Sequence, residues 1–299
     1  MTSERATIRP ITLGRLTELT HVCESTSKTT ETIEETLNVS HRRARETVLE
    51  ATRIGLLSER DTDDELEYQT TPVGERFLDA VKAEEWTQAN EILAVRSPHY
   101  GTFLDVLDEF SPASQDEILD YLEKELEYSP HSFNQTGIEI VGDWGERLGG
   151  IQRNAFTGEY YVVDSGDVPA NFQFVFLEEY DDLEETAGVD LRQRYLSIPR
   201  LRERICERLQ CSRGSFDSAL TTLCQENIGK LELSGAPLDT AAKESVLGIK
   251  EIALADGDSL VSTSQSTQQV MAGLEQFDKQ YYYLAVYDRD LEFTPNSNQ

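Results

Sequence analysis

Thr29-Thr30-Glu31-Thr32-Ile33-Glu34-Glu35-Thr36-Leu37, then Asn38-Val39-Ser40, then His41-Arg42-Arg43-Ala44-Arg45-Glu46-Thr47-Val48-Leu49-Glu50-Ala51, is the stretch on which the fold turns. It reads as a short helix, a three-residue break and a helix with a basic face. Upstream, Ile11, Leu13, Leu16, Leu19 and Val22 recur at helical spacing. Downstream, Ile54-Gly55-Leu56-Leu57, a polar tip from Asp61 to Glu65 and Leu66-Glu67-Tyr68-Gln69-Thr70 read as a hairpin. Thr71-Pro72-Val73-Gly74 then leads into another helix. Ser40 is the expected N-cap of the basic helix. On that helix Arg42 and Arg45 share a face as i, i+3 neighbours, and Arg43 lies about 100° away while Ala44, Val48 and Leu49 turn toward a core.

Helix, short helix, basic-faced helix, hairpin and a T-x-x-G helix entry, over residues 8 to 80, resemble the winged helix-turn-helix family of archaeal and bacterial transcription regulators. The resemblance implies non-enzymatic binding of double-stranded DNA, commonly as a homodimer, with the third helix in the major groove. It would give Ser40, His41, Arg42, Arg43 and Arg45 the DNA contacts. Arginine suits that role because its planar fork makes paired contacts to phosphate or guanine.

The 299-residue chain carries 56 Asp and Glu against 27 Lys and Arg, a net charge of −29. This balance resembles proteins of haloarchaea, which fold in multimolar salt. At 1 M salt the Debye length is about 3 Å, so the acidity alone does not exclude a phosphate backbone as partner. No run of about 18 apolar residues occurs, and Met1 to Arg5 lacks the apolar core of a signal peptide; the expectation is a soluble cytoplasmic protein without a membrane partner. Cys23, Cys206, Cys211 and Cys224 match no common zinc spacing and read as buried small hydrophobes. Neither a metal nor a cofactor is expected.

Along the chain the reading is α+β, mostly α, in two or three tandem winged-helix-like units with small hairpin wings, over residues 8–96, 97–177 and 190–295. A trailing helix from Glu75 to Val95 closes the first. In the second, Tyr100–Phe110 and Gln115–Leu126 are helical, Ser114 with Glu117 forms a capping box, and Ser132–Leu148 suggests a helix pair. Ile151–Val163 follows as a hairpin turning at Thr157-Gly158. The acidic stretch Glu178–Asp190 reads as a linker or a solvated helix. In the third, Ile198–Leu209 is a helix with Pro199 in its first turn, Ser215 caps Phe216–Gln225, and Lys230–Gly235 is a strand. Tyr281–Tyr287 is a strand without an assignable place.

No phosphate loop, nucleophile elbow or H-E-x-x-H pattern is present, and His21, His41, His99 and His131 are scattered. Adjacent carboxylates such as Asp63-Asp64 carry little information in so acidic a chain. A second basic cluster comprises Arg192, Arg194, Arg200, Arg202, Arg204 and Arg208, with Arg213 beyond. Arg200, Arg204 and Arg208 form an i, i+4, i+8 stripe, with Glu203 and Glu207 as candidate partners within the helix. Arg200, Arg204, Arg208 and Arg213 are therefore candidates for contact with DNA, a protein partner or the chain's own acidic surface. A transcriptional regulator is the leading expectation. The alternative is a winged-helix adaptor or assembly subunit of a DNA-processing or defence complex, docking through the stripe.

Overall fold

The computed structural model describes residues 6–62, 65–125, 130–164, 168–186, 195–235, 251–253, 260–262 and 270–295. Asp63-Asp64, Arg192, Arg194 and parts of the acidic stretch and of the tail lie outside these residues. The fold is α+β and mostly helical, with small antiparallel sheets of two or three strands. Among the described residues no helix is long and apolar enough to cross a membrane.

Packing groups the chain into two compact units, Met1–Gln152 with Lys250–Ser264, and Arg153–Ile249 with Gln265–Gln299. The first begins with α1 (Leu13–Val22), β1 (Lys28–Thr29), α2 (Thr30–Leu37), α3 (His41–Arg53), β2 (Leu57–Asp61) and β3 (Leu66–Thr70). Strand β3 lies between β1 and β2, antiparallel to both, with Lys28 opposite Tyr68 and Ser58 opposite Gln69. Leu13, Leu16, Leu19, Ile33, Ala44 and Leu56 are fully buried. Each large aliphatic among them contributes about 1.5–3 kcal/mol, which makes burial rather than helix propensity the force that orders these short elements.

Thr71 caps α4 (Pro72–Lys82), its hydroxyl accepting from the Gly74 N–H at 3.1 Å and donating to the Gly55 carbonyl at 2.7 Å. The single trailing helix expected from Glu75 to Val95 is two. Glu84 adopts a left-handed φ of 58°, which ends α4, and α5 (Trp86–Arg96) starts anew. Next come α6 (Pro98–Phe110), α7 (Gln115–Glu125) and α8 (Gln135–Leu148). Ser114 and Glu117 exchange the two hydrogen bonds of a capping box. Rather than a helix pair from Ser132, α8 is one helix capped by Asn134. It packs on α5, α6 and α1, its Trp144 indole donating to the Ile11 carbonyl at 2.9 Å. That shared core is why residues 97–152 group with the N-terminal elements. Strands β4 (Ile151–Arg153) and β5 (Tyr160–Val162) form a hairpin with Gly158 at φ 83°.

The second unit contains α9 (Phe172–Thr186), β6 (Leu196–Ser197), α10 (Ile198–Leu209), α11 (Arg213–Glu226), β7 (Leu231–Ser234) and, far downstream, β12 (Tyr283–Val286). Strand β12 lies between β6 and β7, antiparallel to both. Helix, strand, helix, helix, strand, strand, with the last strand central, is the arrangement of α1 to β3 repeated. The C-terminal strand thus finds its place, with hairpin β10 (Leu274–Gln276)–β11 (Lys279–Tyr281) leading into it. Strands β8 (Glu251–Ala253) and β9 (Leu260–Ser262) pair with each other. Ser212, not Ser215, caps α11, so the helix begins at Arg213. Phe172, Phe176, Ile198, Leu201, Phe216 and Leu284 fill this core.

Candidate nucleic-acid interface

Asn38, in the left-handed region at φ 48°, stops α2, and the Ser40 hydroxyl accepts from the Arg43 N–H at 3.4 Å to start α3. Ala44, Thr47, Val48 and Ala51 are buried, which turns His41, Arg42, Arg43 and Arg45 outward, and all four are exposed. Their partners are weak. Arg42, with its side chain 88% exposed, reaches Glu46 at 3.3 Å one turn on, a geometry that contributes about 0.3–0.5 kcal/mol. His41 meets Glu34 at 3.0 Å. Arg43 reaches the Pro10 carbonyl only at 3.5 Å. Arg45 makes no hydrogen bond or ion pair with another described residue. Its charge does reach Tyr68 on β3, whose phenol is raised by burial and by Glu59 and lowered by Thr30 and Arg45.

Beneath this face the helix is anchored by buried charge. Glu50 is inaccessible to solvent and accepts from Arg9 at 3.2 Å and from Arg53. Arg53 also lies 3.4 Å from His99 Nδ1, and His99 Nε2 sits 2.8 Å from the Ala6 carbonyl. A proton on Nε2 and none on Nδ1 satisfies both contacts. Burial, with Arg53 adding to it, lowers the His99 imidazole to about 4.

The second basic cluster behaves differently. Arg204 bonds Glu179 at 2.5 Å and reaches Asp182 at 3.5 Å, and Arg208 bonds Glu179 at 2.9 Å and also Glu178. Arg204 and Arg208 of the stripe therefore lie against the chain's own acidic helix α9, which is neither a linker nor a merely solvated helix. Arg200 is exposed and sits over the Phe156 ring at 5.4 Å. Arg213 is buried, its guanidinium donating to Glu203 at 2.6 and 2.8 Å and to the Arg153 carbonyl at 2.8 Å. Burial opposes its charge, and Glu203 more than offsets that.

Glu203 and Glu207 do not pair with the stripe. Glu203 also accepts from the Ala155 N–H at 2.7 Å, and Glu207 accepts from the Asn154 amide at 2.6 Å. Arg202, 2% exposed, bonds Asp217 and the carbonyls of Val270 and Ala272. These buried ions join residues far apart in sequence, and only the apolar setting of Arg202 and Glu203 on α10 could have signalled them.

In the repeated arrangement α11 occupies the position of α3. Its exposed residues are Gly214, Ser218, Gln225 and Glu226, and its one arginine is the buried Arg213. A cavity of about 340 Å³ lies along this face, lined by Ser212, Ser215, Ser218 and Thr222 and by Val168 and Phe293. Of the two helices, α3 alone presents exposed cations. No protein-family model matches the chain, and no curated protein matches it in sequence.

Proposed function

We propose that this chain is a non-enzymatic DNA-binding protein, a transcriptional regulator of the winged helix-turn-helix kind, that reads duplex DNA with α3. The observation that carries the proposal is the face formed by His41, Arg42, Arg43 and Arg45. It is outward-turned, cationic and weakly partnered, on the third helix of a three-helix, three-stranded arrangement. Arg42 and Arg45 reach base edges or phosphates, and Ser40 with the N-terminus of α3 offers further phosphate contacts. The net charge of −29 supports a cell interior of multimolar salt as the setting, where screening within about 3 Å removes most long-range repulsion from DNA. The adaptor alternative draws less support, because two of the three stripe arginines that would dock a partner, Arg204 and Arg208, already hold α9, which leaves Arg200 exposed.

Fluorescence anisotropy with duplex DNA from upstream of the protein's own gene, over a series of KCl concentrations up to about 2 M, tests the reading. Each phosphate contact adds about −0.9 to the slope of log K against log salt. Arg42→Ala should lower the magnitude of the slope or relax base preference, according to which contact it makes. Absence of saturable binding by the folded protein across the series would overturn the proposal.

A further inference from the structure

The turn from α10 to α11 holds two thiols that DNA contact leaves unused. Gln210 takes a left-handed φ of 51°, and the Cys211 N–H donates to the Cys206 carbonyl at 3.1 Å. This is a Schellman ending, in which the residue three back from the helix cap and the second residue beyond it bring their side chains together. That contact is ordinarily between apolar groups. Here both residues are cysteines, and their thiols hydrogen-bond each other. Cys206 Sγ lies 3.6 Å from the Ser212 carbonyl, and the Asp164 N–H donates to the Gln210 carbonyl at 2.7 Å, bracing the turn from the preceding segment.

We propose that Cys206 and Cys211 form a redox-modification site, a dithiol that closes to an intramolecular disulfide on reaction with a small peroxide. The backbone bond and the left-handed residue bring the two side chains together at one helix end. Both side chains are buried, which restricts the oxidant to small molecules such as hydrogen peroxide or a short alkyl hydroperoxide.

The two sulfurs have distinct parts. Burial pushes the Cys23 and Cys224 thiols up to about 12 and raises Cys206 well above an ordinary thiol. Cys211 alone is lowered, by the hydrogen bond from Cys206. Thiolate is the reactive form, so Cys211 attacks the peroxide. Its sulfur bonds one oxygen, the O–O bond breaks, and the other oxygen leaves with a proton as water or alcohol. The Cys206 sulfur then attacks the Cys211 sulfenic acid. The S–S bond forms, the S–O bond breaks, and the Cys206 proton leaves with the hydroxyl as water. In sum, two thiols lose two electrons and two protons, and one peroxide is reduced.

The test treats the folded full-length chain with hydrogen peroxide, blocks remaining thiols after denaturation and maps the peptides by mass. Expected is a loss of two hydrogens located in a Cys206–Cys211 linkage, with Cys23 and Cys224 blocked as free thiols and full reversal by dithiothreitol. Cys206→Ser should instead leave Cys211 as a sulfenic acid trapped by dimedone, and C23S/C224S should still close. The wild-type map alone decides the matter if a variant fails to fold. Unchanged mass at 206 and 211, or oxidation of Cys23 or Cys224 in preference, would overturn the proposal whatever the outcome for DNA binding.

Discussion

Glu203 and Arg204 are neighbours on α10, and their charges serve different ends. Glu203 is inaccessible to solvent and is the carboxylate that neutralises buried Arg213, whereas Arg204 is half-exposed and shares Glu179 with Arg208. Removing one partner of a buried pair leaves an uncompensated charge, which costs about 3–5 kcal/mol, whereas Glu179, itself buried, keeps Arg208 when the half-exposed Arg204 is removed, a loss of about 1 kcal/mol. Urea unfolding should show Glu203→Ala as severely destabilised and Arg204→Ala as nearly unchanged; equal effects would contradict the geometry. His99 sets a pH dependence. Burial holds its folded value at about 4, below the ordinary 6.5 of an imidazole, so the neutral form is favoured in the folded state. The corresponding stability is fully present above about pH 6.5 and is lost as pH falls toward 4. The separation corresponds to about 3 kcal/mol. Unfolding curves at pH 7.5 and 4.5 should differ by less in His99→Gln than in wild type.

At the scale of elements, the hairpin and the helix after it depend on one close approach. A Cβ on Gly74 would meet the Leu56 carbonyl oxygen at 2.3 Å and the Thr70 side chain at 2.8 Å. Gly74→Ala should therefore destabilise by about 1–3 kcal/mol, read as a lower urea midpoint; an unchanged midpoint would show that the backbone yields freely there. The T-x-x-G pattern was legible because cap and glycine act within four residues. So were the start of α3, the end of α10 and the Ser114–Glu117 box, each set by local hydrogen bonding. Strand β1 was not, since two residues carry no period. The place of β12 was hidden because it pairs with β7 across a long intervening stretch, a non-local choice made by burial of Leu284 and Val286. In the candidate sites, the outward face of α3 followed from helical spacing alone. The engagement of Arg204 and Arg208 by α9 and the burial of Arg213 did not, because they depend on which helices pack together.

For the molecule as a whole, one arrangement of helices and strands occurs twice, and the two copies differ in charge at the same helix. The third helix of the first copy turns four basic side chains outward, and that of the second turns out glycine, serine, glutamine and glutamate. The distribution bears more directly on function than the net charge of −29 does, because dissolved salt screens distant charges far more than contacts. Under the proposed function, DNA is read by α3 and not by α10. The most direct measurement is anisotropy with upstream duplex in about 1–2 M KCl, comparing wild type, R42E/R45E and R204E/R208E, each shown folded by circular dichroism. Expected are saturable binding by wild type, at least a tenfold loss in R42E/R45E, in line with about 1–3 kcal/mol for each good arginine contact, and near-wild-type affinity in R204E/R208E. Full affinity in R42E/R45E, or loss only in R204E/R208E, would contradict the proposed function.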